Sequence, residues 1–372
     1  MKLTKFFAIA LAAFAFVGCG PETETPADQP STPLPEPTGK ITLSADKTSV
    51  EMGETVTFTV TDSDNQDVTA VATIYDQDLN EITGAKFTAS ATGTYSFFAT
   101  CNDENSNYLV ICVLASMPEV PADPDPSNFV FNHRPLVIDH TGVNCGYCPY
   151  AMDYLLQLEA SEWHGKYNEV TCHAGGYANG DPAASSAATA LNTFQASNIA
   201  GYPSIIINFY TPAADYGLAS MKSALNKVWK KSGAEVGISV AVEADSETVM
   251  CAAEIKSNET KVYYVNAWLL ENDIYSPNQA NATKDHHKIY NYALRNFSES
   301  VTRTSVAGLD LGTIKAGESY TYGCAIPVTN KSWVSENMGV LVVVSAKDAN
   351  NRIEVVNSAY CKVGEALEFE YL

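Results

Sequence analysis

The chain has 372 residues, 46% of them hydrophobic and 10% aromatic, and 22 Lys and Arg stand against 43 Asp and Glu for a formal charge of −21. That length exceeds what a single ordinary core serves, so several domains are expected. The acidity argues against a nucleic-acid partner, which needs a basic face for phosphate, and no apolar run beyond the N-terminus is long enough to span a bilayer.

Lys2 and Lys5 make a positive n-region ahead of an apolar stretch, residues 6–17, too short to cross a membrane. The Phe16-Val17-Gly18-Cys19 that follows resembles the lipobox of bacterial lipoproteins, with Phe16 where Leu is usual. The resemblance implies removal of the signal peptide 1–18, lipidation of Cys19 and attachment to a membrane. Several acyl chains, at about 0.8 kcal/mol per buried methylene, hold a protein stably where one does not. Residues 19–38, rich in Pro, Thr and acids and poor in large apolar side chains, read as a flexible tether.

Residues 39–116 alternate with period two, as in Thr55-Val56-Thr57-Phe58-Thr59-Val60, between turn signals such as Asp62-Ser63-Asp64-Asn65. This pattern predicts a small β-sandwich, and the stretches around Gly53 and Gly93 look like the Ig-like modules of bacterial surface proteins. Cys101 and Cys112 flank a hairpin-like loop and are expected to pair, since disulfides persist outside the cytoplasm. A Pro-rich linker, 117–128, closes this part.

From 129 to 232 strand and helix patterns alternate: strands at Leu136-Val137-Ile138, Glu169-Val170-Thr171-Cys172 and Ser204-Ile205-Ile206-Ile207, helices over 148–163, 183–197 and 218–231. Such alternation predicts an α/β sheet with helices on its faces. Residues 233–372 return to strands, at 236–242, 262–270, 320–328, 340–346 and 353–356, and are read as a C-terminal β-sandwich.

The chemistry concentrates at Cys145-Gly146-Tyr147-Cys148, between a predicted strand and a predicted helix. A helix N-terminus stabilises a thiolate through unpaired N–H groups and the macrodipole. Cys145, taken as the more exposed sulfur, is expected to attack and Cys148 to resolve the mixed disulfide. Pro149 suits an early helical position. Asp139 lies six residues before Cys145, and Tyr202-Pro203 opens a late strand. Thioredoxins carry a buried carboxylate and a cis-proline in those places, so the resemblance implies a thioredoxin-like fold, with Asp139 moving the resolving thiol's proton and Tyr202 and Pro203 meeting an extended peptide. Asn144 and His140 depart from the thioredoxin pattern, as does an added Gly-rich stretch, 175–182, which could be either a lid or a plain surface connection.

The whole run Asp139-His140-Thr141-Gly142-Val143-Asn144-Cys145-Gly146-Tyr147-Cys148-Pro149, with Gly201-Tyr202-Pro203, Asn208 and Tyr290-Asn291-Tyr292-Ala293-Leu294-Arg295, resembles the outer-membrane-protein-twenty-eight family of Bacteroidota lipoproteins over about residues 130–372. His140 stands where that family has Phe. The resemblance implies an outer-membrane lipoprotein, periplasmic or surface-facing, and leaves its activity open. No cofactor is expected. A zinc set of Cys145, Cys148, Cys172 and His173 is disfavoured because adjacent strand residues point to opposite faces. His286-His287 beside Asp285 reads as a solvated patch, and Cys172, Cys251, Cys324 and Cys361 allow three pairings. Two functions follow: thiol–disulfide exchange with protein thiols and disulfides of the cell envelope, or a surface binding or adhesion module whose thioredoxin-like part is scaffold.

Overall fold

A computed structural model describes residues 37–372 apart from Ser246 and Lys331. The expected signal peptide 1–18, the expected lipidation site Cys19 and nearly all of the expected tether 19–38 lie outside the described residues. What is described is mostly β, in several sheets, with three α-helices. Among these residues no helix is long and apolar enough to cross a membrane.

Period-two alternation does what it predicts in the N-terminal part. Val56, Phe58 and Val60 all point inward from the strand Thr55–Thr61. They meet Phe97, Ile111 and Val113 from a second sheet in one core. Three strands make the first sheet, and Ser49–Glu51, Leu109–Leu114, Gly93–Cys101 and Thr73–Asp76 make the path of the second. The expected Cys101–Cys112 disulfide is absent, and both thiols are free. Register explains this. Cys112 lies opposite Thr94, while Cys101 lies opposite Glu104 at the far end of the same strand. At roughly 3.3 Å per residue the two are about 23 Å apart along the sheet, far beyond disulfide reach.

In the α/β part, the strands Leu136–Thr141 and Asn168–His173 run parallel, and Ser204–Ile207 pairs antiparallel with the first. Helices α1 (Cys148–Glu159) and α3 (Leu218–Val228) cover one face, burying Leu155, Leu158, Met221 and Leu225 against Val137, Ile205 and Ile207. Helix α2 (Ser186–Phe194) covers the other, with Ala188 and Leu191 on Leu136, Ile138 and Val170. Helix α1 stops short of its predicted end because the Ser161 hydroxyl donates to the Leu158 carbonyl at 2.7 Å, replacing the next helical turn.

The sheet does not end there. Asn168–His173 pairs in parallel with Ala293–Phe297, and the same sheet runs on through Lys261–Glu271, Met338–Lys347 and Ile353–Lys362 to nine strands. A four-stranded sheet built on Ser319–Pro327, Thr248–Ser257 and Val236–Ala244 packs against this far half, enclosing Val240, Ala253, Val265, Val342 and Val344. The C-terminal strands therefore form two layers, but one layer is the extension of the sheet that carries the helices. The boundary at 232/233 is a boundary along the chain that one sheet spans. Trp268 shows the join: Ala267 and Leu269 face the sandwich, while Trp268 turns to the α2 side and stacks on Phe209 at 6.3 Å.

Candidate functional site

The strand Leu136–Thr141 ends in a short loop, and α1 begins at the second cysteine of the motif. Cys145 and Cys148 are joined by a disulfide, with Cα atoms 5.4 Å apart. Pro149 sits in the first turn of α1, which carries no acidic side chain and has no side-chain cap. Nothing on the helix itself therefore competes with a thiolate for its positive end.

Cys145 is 1% exposed and Cys148 is fully buried, so the first sulfur is the more exposed of the two only marginally, and both are covered. The cover is a strap from far along the chain, residues 276–288. Gln279 Nε2 donates to the Cys145 carbonyl at 3.0 Å, Asn281 Nδ2 to the Gly146 carbonyl at 3.1 Å, and the Ala280 N–H to the Val143 carbonyl at 2.8 Å. The Tyr290 hydroxyl fixes Gln279 by donating to its Oε1 at 2.8 Å. Gly146 permits this approach, because a Cβ there would lie 2.7 Å from Asn281 Nδ2. Tyr147, between the cysteines, stays exposed.

The Gly-rich stretch 175–182 grips the same loop from another side. The Val143 N–H donates to Asp181 Oδ2 at 2.7 Å, and the Asn144 N–H to the Tyr177 carbonyl at 3.0 Å. Gly142 lies against the Tyr177 backbone with no room for a Cβ. The stretch lies at the surface for most of its length, so it is a surface connection that also braces the dithiol loop. Asp181 also holds His173, Oδ2 to Nδ1 at 2.8 Å, with both side chains buried.

Period two sorts the strand residues. Asp139 and Thr141 share the α1 face with Val137, whereas His140 turns to the α2 side, where its Nε2 lies 2.8 Å from Gln195 Oε1. Asp139 is 1% exposed, and neither carboxyl oxygen meets a hydrogen-bond partner. Desolvation by burial alone pushes its carboxyl up to about 7. Burial lowers His140 to about 4, so it is neutral at pH 7. Ser204 lies opposite His140, which places Pro203 at the end of the strand that feeds the dithiol loop. The Tyr202–Pro203 bond is cis, and the Tyr202 ring packs on Tyr177 at 5.2 Å. The residues singled out from sequence, Asp139, Cys145, Cys148, Tyr202 and Pro203, thus gather at one end of the sheet.

Cys172 and His173 do point apart, Cys172 Sγ donating to the Ala188 carbonyl at 3.0 Å on the α2 side. Cys172, Cys251, Cys324 and Cys361 are all free thiols; Cys251 and Cys324 lie directly opposite each other on neighbouring strands. His286-His287 is not a solvated patch. His287 is buried, and both rings reach Asp153 Oδ1 on α1, at 2.7 and 3.1 Å, while Lys284 Nζ takes Oδ2 at 2.7 Å. Burial opposes ionisation of Asp153, yet the bonds from Lys284, His286 and His287 hold its carboxyl well below the usual range. Among the described residues, Asp153, His286 and His287 are the one set of ligand-type side chains close enough together to hold a metal ion. The Thr283 N–H donates to His287 Nδ1 at 3.2 Å, however, which leaves the proton on Nε2, facing Asp153. The arrangement is a clasp that ties the strap to α1. Nothing local announced it, since its halves are more than 130 residues apart.

No family model and no curated protein sequence matches the chain. Among solved structures, one of a protein from Agrobacterium tumefaciens aligns at 17% identity with a TM-score of 0.38, covering 62% of this chain and 95% of that one. HBP35 of Porphyromonas gingivalis aligns at 15% identity with a TM-score of 0.51, covering 65% of this chain and 78% of that one. What this chain shares with HBP35 is a fold.

Proposed function

We propose that the chain is an envelope lipoprotein, anchored through Cys19, whose thioredoxin-like part exchanges disulfides through Cys145 and Cys148. The observation that carries the reading is a dithiol at an uncapped helix start on the same sheet end and face as a buried, unpartnered Asp139. In the oxidised protein, a substrate thiolate attacks Cys145 Sγ, and Cys148 leaves as a thiolate that takes a proton from neutral Asp139. A second substrate thiolate then attacks the substrate sulfur of the mixed disulfide and releases Cys145. The substrate dithiol is oxidised by two electrons and the protein disulfide reduced. A carboxyl near pH 7 is suited to handing that proton over and taking it back. Cys145→Ser should abolish dithiol-oxidase and insulin-type reductase turnover, and Cys148→Ser should accumulate mixed disulfides with envelope proteins. A wild-type protein inert in both assays, with no trapped partner, rejects the proposal.

One observation favours a second reading, a binding or adhesion protein with a static disulfide: Cys145 is buried under the strap. A reduction potential below about −300 mV would mark a structural disulfide, and a more oxidising one a working couple.

A further inference from the structure

Beside the dithiol, and sharing Asp139 with it, the face of the sheet beyond α1 has no helix over it among the described residues. A cavity of about 460 Å³ opens there between α1, the strand Asn168–His173 and the segments around 272, 290 and 337. That volume lies in the range of small-molecule sites.

Its chemistry is graded with depth. At the floor stand Asp139, Thr171 and His173, which period two places on one face of the two parallel strands, with Tyr290 packed at a tilt against the His173 ring at 4.4 Å. The walls are aliphatic, from Leu155, Leu156, Ile289 and Met338, and Leu156 and Ile289 reach the surface. At the mouth are the exposed acids Glu159, Asp273 and Glu336. Five lining carboxylates, counting Asp139 and Glu169, face a single ammonium, that of the exposed Lys362.

Acidic lining alone would say little. The independent sign is at the floor, where the Asp139 carboxyl, 1% exposed, has no partner for either oxygen. A buried polar group left in that state costs free energy that a donor entering the cavity would recover. We propose that this cavity binds an organic cation, a primary ammonium or guanidinium group on an aliphatic stem, with the cation toward Asp139 and Glu169 and the stem along the leucines. Burial, joined for Glu169 by the charges of Asp139 and Glu159, raises these two acids to about 7 and about 8, a penalty on their ionised forms that a cation would relieve. The cation could be a free alkyl diamine or a basic side chain of another protein, and the site stands whether or not the dithiol turns over.

Titration calorimetry on the purified protein tests it with 1,5-diaminopentane, the neutral 1-pentanol, and an acetylated, amidated Ala-Lys-Ala tripeptide. The expected result is a diamine Kd of about 1 mM or tighter, with pentanol at least tenfold weaker. Tighter binding of the tripeptide would identify a protein side chain as the source, and tighter binding of the diamine a free amine. Glu169→Gln and, at the mouth, Asp273→Asn should each weaken the cation at least threefold while leaving the circular dichroism spectrum unchanged. Equal binding of amine and alcohol, no binding of either amine, or cation binding indifferent to both substitutions would overturn the proposal.

Discussion

Asp139 sets a condition on the fold as well as on the chemistry. In the unfolded chain its carboxyl ionises near 3.9, and in the folded protein near 7. Between those values the folded state keeps a proton that the unfolded state releases. The stability associated with this group is therefore full below the lower value, declines as pH rises, and is gone above about 7. Asp139→Asn removes the titration, so the variant should exceed wild type by about 2–4 kcal/mol at pH 8 and match it within about 1 kcal/mol at pH 4. Urea unfolding at the two pH values measures this; an unchanged difference between them would show that Asp139 is solvated. The position of this acid was legible in the sequence because it rests on one strand's alternation and a fixed offset from the cysteines. The burial of Cys145 was not, since nothing near residue 145 encodes a cover that arrives from residue 279.

That cover acts as an element. Gln279 and Asn281 hold the dithiol loop by two hydrogen bonds, each worth about 0.5–1.5 kcal/mol net, and the clasp on Asp153 holds the strap to α1. If strap opening precedes attack, Gln279→Ala with Asn281→Ala should speed reduction of the Cys145–Cys148 disulfide by a phosphine about tenfold, as followed by thiol labelling; an unchanged rate would mean that the sulfur is reached by another route. Regular elements were easier to read than this irregular one. Helices α1 and α3 and the strand Thr55–Thr61 carry clean periodicities. The strand Thr248–Ser257 was missed because Met-Cys-Ala-Ala-Glu-Ile-Lys favours a helix locally, and only its two antiparallel neighbours, Val236–Ala244 and Ser319–Pro327, make it a strand.

At the scale of the molecule, the shared nine-stranded sheet decides what folds with what. Cutting the chain at 232/233 would leave Asn168–His173 as an unpaired edge and strip Trp268, Leu270 and Leu294 from the core under α2. A fragment of residues 129–232 should therefore fail to reach a cooperative fold, and one of 129–372 should reach it, as judged by thermal unfolding and amide exchange. A stable, well-dispersed short fragment would contradict this account. The sequence shows two composition-like blocks, strand-helix and then strand, and block boundaries say nothing of register. The one-rung pairing of Thr171 with Ala293 that fuses them is a long-range match no local pattern contains.

The strap's exposed run Thr283-Lys284-Asp285 joins the clasp to the residues that shield the sulfurs. A trypsin-like nick after Lys284 would separate His286 and His287 from Lys284 and the residues that hold the dithiol loop, splitting the clasp without severing a strand of the large sheet. The clipped chain should stay folded on its intact sheet while its dithiol loop is held by fewer bonds, and a phosphine should then reduce the Cys145–Cys148 disulfide faster than in the intact protein.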